Sequence, residues 1–92
     1  MKGARRLWHP DTVCAYLRLL QEATDVEILE ACASSLQNLS ACPFEGSVLV
    51  RATVRSEHGL PVLVELLRLR EDRVVAAVCA ALRNLALDQV ST

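Results

Sequence analysis

The sequence is short of the side chains that most catalytic and nucleic-acid chemistries need. Its 92 residues hold one Trp, one Tyr and one Phe. These do not interleave with basic positions, which argues against stacking on single-stranded bases and leaves Trp8 and Tyr16 as packing residues. Charge of one sign is missing as well. Ten Lys and Arg stand against 11 Asp and Glu, so no global field draws nucleic acid or an anionic membrane. No apolar run approaches the ~18–20 residues of a membrane span, and membrane insertion is not expected. Met1 to Arg6 is polar and basic with no apolar core behind it, against a secretory leader. The three glycines form no phosphate-cradling loop. There is no Ser/His/Asp or Cys/His constellation, and there are no paired carboxylates in an identifiable cleft. His9 and His58 stand singly near helix ends and read as surface residues. These absences leave no basis for an enzyme, a cofactor or a metal site.

Four cysteines are present, Cys14, Cys32, Cys42 and Cys79, without a C-x-x-C. Their separations match no zinc spacing. Three lie in apolar helical patterns and read as small hydrophobes in a reducing, cytosolic or nuclear setting. Cys42 falls in a loop and is the one candidate for a reactive thiol, the basis of a minor alternative in which the chain acts through thiol chemistry.

What the chain does have is apolar helix, 52% of its residues being hydrophobic. At this length it is one small domain or a piece of a larger array. After a lead-in segment over 1–9, Pro10 suits a first helical position, with Asp11 in the first turn. Val13, Tyr16, Leu17, Leu19 and Leu20 then follow at helical spacing. Thr24 with Glu27 is a capping-box pattern for a second helix from about residue 25, whose Leu29, Cys32, Leu36 and Leu39 make a continuous stripe. Pro43 and Gly46 mark a loop over 42–47, with Ser47 as cap for a short third helix carrying Val48, Leu49, Ala52 and Val54. Gly59 suits the left-handed residue that ends it. Pro61 opens a fourth helix with Val62, Leu63, Leu66 and Leu67, and Asp72 caps a fifth with Val75, Val78, Leu82 and Leu85. Residues 89–92 are expected to fray. No segment reads as a strand.

Two of these helices are versions of one another. Leu36-Gln37-Asn38-Leu39 lies over Leu82-Arg83-Asn84-Leu85 at an offset of 46, and Leu19-Leu20 over Leu66-Leu67 at 47. An all-helical period in the forties is the signature of armadillo or HEAT stacking. Both helices are rich in Ala, Cys and Ser, which lets neighbouring helices approach closely, and each bears one Asn before its last Leu.

The residues then carry a family resemblance. Gly59-Leu60-Pro61-Val62-Leu63-Val64-Glu65-Leu66-Leu67, leading through Asp72 to Ala81-Leu82-Arg83-Asn84-Leu85-Ala86, looks like an armadillo repeat. Lys2-Gly3 before Trp8-x-Pro10, Leu36-Gln37-Asn38-Leu39-Ser40-Ala41 and Arg51-Ala52-Thr53-Val54-Arg55 extend the likeness. Nearly the whole chain resembles the delta-catenin and plakophilin subfamily of armadillo proteins. The resemblance implies an all-α, right-handed α-solenoid fragment of about five helices and one and two-thirds repeats. A partial repeat over 10–41 supplies the second and third helices, and a three-helix repeat covers 48–88. Because roughly three repeats are needed for stability, exposed apolar ends are expected to make the piece marginal or self-associating.

The resemblance also implies a function. Third helices line a peptide groove in armadillo families, which nominates Asn38, Asn84, Arg83, Gln37 and Ser34 as its lining, with each Asn bonding peptide main chain. The competing reading has each Asn holding adjacent repeats together. Import receptors of the family pair this Asn with Trp four residues earlier. Ser34 and Ala80 stand there, which argues against basic localisation signals. Arg51 and Arg55, one turn apart, are candidate contacts for an acidic partner. The subfamily implies the cadherin juxtamembrane cytoplasmic tail, or a similar extended acidic peptide, at cytoplasmic cell–cell junctions. The alternative is a truncated structural repeat with no binding of its own. Where the subfamily has Gly and aromatics after Ala41, this chain departs to Cys42-Pro43-Phe44-Glu45-Gly46.

Overall fold

The computed structural model describes residues 9–41 and 46–90, the last four of these as backbone. Five α-helices follow in order: α1 Pro10–Glu22, α2 Val26–Leu39, α3 Ser47–Ser56, α4 Gly59–Leu66 and α5 Asp72–Val90, with a 3₁₀ turn, Leu67–Leu69, closing α4. The fold is all-helical, with no strand among the described residues. The lead-in to Trp8 and the Cys42–Glu45 segment, including Phe44 and the Cys42 thiol, lie outside the described residues.

Pro10 is the first residue of α1, as its preset φ favours. His9 provides the N-cap, its Nδ1 accepting from the Asp11 N–H at 3.1 Å. Capping differs from expectation at three later starts. Asp25, not Thr24, caps α2, its Oδ1 accepting from the Glu27 N–H at 2.8 Å. An Asx cap reaches the third residue of its own motif, so the one-residue shift leaves Glu27 as the donor. Ser47 is already helical, with Gly46 before it. Asp72 lies in the first turn of α5, and the Glu71 carbonyl accepts the first helical bond, from Val75 N at 2.8 Å. Asp72 therefore acts on the helix dipole and not as the cap.

The corner between α3 and α4 is also built differently. His58, at φ 60°, takes the left-handed conformation, and Gly59 is the first residue of α4. Glycine is needed there for room. A Cβ on Gly59 would lie 2.7 Å from Val54 Cγ1, 2.9 Å from the Val54 carbonyl and 3.0 Å from Leu17 Cδ2. The absent side chain lets α4 sit against both α3 and α1.

One core runs through all five helices: Val13, Leu17 and Leu20 of α1, Leu29, Cys32 and Leu36 of α2, Val50 and Val54 of α3, Leu63 and Leu66 of α4, and Val74, Val78 and Leu85 of α5. On α3 the buried apolar positions are Val50 and Val54, while Val48 and Leu49 are exposed. The helix is rotated from its expected face because Arg51 and Thr53 are taken inside. The helix α5 continues through Asp88 to Val90. Its most extensive packing is against α2, so the two helices of the internal repeat lie side by side.

Candidate functional site: the paired helices α2 and α5

The C-terminal halves of α2 and α5 carry every predicted groove residue. Ser34, Gln37 and Asn38 share one face of α2, and Ala80, Arg83 and Asn84 share the equivalent face of α5, at steps of three and one. Asn38 and Arg83 are exposed; Ser34, Gln37, Ala80 and Asn84 are half-buried. The fold therefore brings Asn38, Asn84, Arg83, Gln37 and Ser34 onto one pair of adjacent helices.

The two asparagines differ in what they do. Asn84 Nδ2 donates to the Gln37 carbonyl at 2.9 Å and lies 3.3 Å from Ser40 Oγ. It thus joins α5 to the end of α2, the inter-repeat role weighed against ligand binding. Asn38 is exposed, and its side chain makes no such bond among the described residues. The difference has a geometric cause. Asn84 has a preceding third helix beside it, whereas Asn38 belongs to the first third helix described.

Sequence reasoning missed the centre of this joint, Ser40. It is 1% exposed, and its hydroxyl donates to the Gln37 carbonyl at 3.2 Å while facing the Asn84 amide. Its position, two residues after Asn38, is the only signal available in sequence. Buried hydroxyls need such partners, and among the described residues no buried side-chain N or O lacks one.

Arg51, nominated as a contact for an acidic partner, is instead buried as an internal tie, and Arg55 also bonds within the fold. Arg51 is 3% exposed, and its Nη1 donates to the Ser40 carbonyl at 2.9 Å. That carbonyl caps the end of α2, where a cation complements both the unpaired oxygen and the helix dipole. Half-buried Arg55 reaches the Leu85 carbonyl of α5 at 3.3 Å. Spacing by four did place both arginines on one face, but that face turns toward the third helices. Arg73 and Glu30 add an ion pair across α5 and α2 at 3.4 Å.

At the other end of α2, a cleft of about 690 Å³ opens among Leu20, Val26, Leu29, Val62, Leu66 and Leu69. No predicted site residue lines it. No group of His, Cys, Asp or Glu among the described residues is arranged to hold a metal ion, and no described helix is long and apolar enough to cross a membrane. Cys32 is buried and Cys79 exposed. Burial pushes the Cys32 thiol above its ordinary pKa. Burial and then the Glu57 carboxylate do the same for Cys14.

Short helices that repeat at an offset of 46, share one core and expose a polar face along paired third helices define a unit of an α-helical solenoid. Comparison with known proteins makes the class specific. The armadillo/beta-catenin-like repeat matches residues 2–41 and 47–87, and the chain belongs to that family. It is 59% identical over 86 residues to the juxtamembrane domain-associated catenin of Caenorhabditis elegans, covering 94% of this chain and 7% of that protein. Human catenin delta-2 is 56% identical over 87 residues and mouse plakophilin-4 is 55% identical over 87, each covering 95% of this chain. The chain spans 7% of the length of either. No solved structure matches it.

Proposed function

We propose that the chain is a non-enzymatic protein-interaction unit of a catenin-type scaffold, receiving an extended acidic peptide along α2 and α5 at the cytoplasmic side of cell–cell junctions. The observation that carries this reading is the exposure of Asn38 and Arg83 on the joined third helices, with no ion pair on Arg83 among the described residues. An exposed amide offers a donor and an acceptor to a peptide main chain. The Arg83 guanidinium offers a bidentate partner to a peptide carboxylate. Asn84 contributes through its Oδ1, because its Nδ2 is bonded to Gln37. The peptide class is the cadherin juxtamembrane tail; the name of the nematode relative, a juxtamembrane domain-associated catenin, supports it.

The test is calorimetric titration with a cadherin juxtamembrane peptide against a scrambled acidic peptide of equal charge. Asn38→Ala combined with Arg83→Ala is the informative variant, since both side chains are exposed and the joint at Asn84 stays intact. The expected result is at least a tenfold loss of affinity for the cadherin peptide at unchanged helicity. Undiminished binding by the double variant overturns the reading. The Asn84–Gln37 bond supports a second reading, a structural spacer. That reading requires that neither peptide binds.

A further inference from the structure

The 46-residue offset allows each position of α2 to be compared with its counterpart on α5: both helices bury the central stripe that contains Cys32 and Val78, and beside it they bury opposite flanks. On α5, Val74 is 0%, Ala77 5% and Ala81 1% exposed, and Asn84 is half-buried. Their counterparts on α2 are Ile28, 43% exposed, Ala31, exposed, Ser35, half-buried, and Asn38, exposed. The reverse holds for the other flank. On α2, Glu30 and Gln37 are half-buried and Ala33 and Ser40 are fully buried. The counterparts on α5, namely Ala76, Cys79, Arg83 and Ala86, are all exposed. Within the chain, the first buried stripe meets the second. Asn84 bonds Gln37 and Ser40, and Arg73 pairs with Glu30, across that seam.

The molecule therefore presents both halves of its own internal joint, one at each end. We propose that a second copy of this chain docks head to tail. The Ile28/Ala31/Ser35/Asn38 stripe of one molecule seats on the Ala76/Cys79/Arg83/Ala86 stripe of the next, continuing the α2–α5 interface. Both stripes have the small side chains that allow close approach. The Asn38 amide donates to the Arg83 carbonyl, which keeps a second lone pair beyond its helical bond. The Arg73–Glu30 pair has no counterpart here, because its positions are taken by Glu27 and Ala76, so the contact is largely indifferent to salt. A heterologous contact of this kind does not close on itself and grows into open chains.

The experiment is analytical ultracentrifugation of the 92-residue chain over a concentration series, with two blocking variants at exposed sites, Ala31→Arg on one stripe and Cys79→Arg on the other. The wild type is expected to grow past dimer with concentration, at a midpoint that 0.5 M salt moves by less than about threefold. Each variant alone is expected to be monomeric. An equimolar mixture of the two is expected to form a dimer, because each keeps the stripe the other has lost. Circular dichroism checks that helicity is retained, and Ile28→Lys with Ala76→Arg serves as the replacement pair should either variant unfold. A wild type that stays monomeric overturns the proposal. So does association by either variant alone, or a mixture that remains monomeric.

Discussion

Asn38 and Asn84 occupy the same register position on two helices of one repeat pattern, yet only Asn84 is tied into the fold. Its amide bonds the Gln37 carbonyl across to α2, whereas Asn38 stands exposed. The two helices around them differ in the same sense: α5 buries the stripe that α2 exposes, and α2 buries the stripe that α5 exposes. Related local sequence thus yields two environments, because in a stacked array each unit obtains half of its surroundings from a neighbour. Equivalent residues on the two helices need not have equivalent roles.

Substitutions at the seam should separate the two units most strongly. Removing the buried guanidinium by Arg51→Ala leaves the Ser40 carbonyl without its charged partner and opens space beside it. We expect a loss of about 3 kcal/mol in urea unfolding. Gly59→Ala pushes a methyl group into the Val54 backbone oxygen and Leu17. It is expected to cost about 2 kcal/mol by the same measurement, and a neutral outcome would mean that the contact between α1 and α4 is looser than described.

The asparagines supply the direct comparison. Asn84→Ala should destabilise by about 1–1.5 kcal/mol, since the Gln37 carbonyl and the Ser40 hydroxyl each lose one of their partners and keep only each other. Asn38→Ala should stay within about 0.5 kcal/mol of wild type. Equal losses at the two positions would erase the distinction between joint and exposed end. These values refer to dilute protein, below the association range.

A smaller effect tests Cys32, whose counterpart on α5 is Val78. The thiol pKa is raised in the fold by burial, so the folded state favours the neutral thiol. That contribution is complete at pH values below the ordinary thiol pKa. It declines as pH rises and the unfolded chain ionises first. Thermal midpoints should therefore fall between about pH 8 and pH 10, and Cys32→Val should make that fall shallower. A further small change is expected at the corner between α3 and α4. His58→Gly relieves a left-handed backbone and should stabilise by about 0.5–1 kcal/mol.

Much of this was legible in the chain itself. The steps of three and four through Leu29, Cys32 and Leu36, and through Val78 and Leu85, specify helices and most of the face each buries. Pro10 specifies where α1 starts. The offset of 46 specifies a repeat, and the blocks around Asn38 and Asn84 specify the armadillo family. Cap positions were less legible, because Thr24 and Asp25 are both good capping residues and only the backbone path selects one. Gly59 reads in sequence as a left-handed residue, although its role is close approach to Val54 of the preceding helix and to Leu17 of α1. For the two arginines of α3, spacing shows that they share a face and not what that face meets.

The sequence alone determined the helices, their period and the polar residues set on an apolar scaffold, since these depend on chain neighbours three or four positions away. Only the tertiary structure decided that Arg51 and Arg55 turn inward to helix carbonyls, that Ser40 lies at the centre of the seam and that Asn84 is a joint while Asn38 is exposed. Those outcomes depend on groups 11 to 47 residues apart. Which carbonyl a guanidinium or amide meets is set by how whole helices stack, and local spacing holds no record of it.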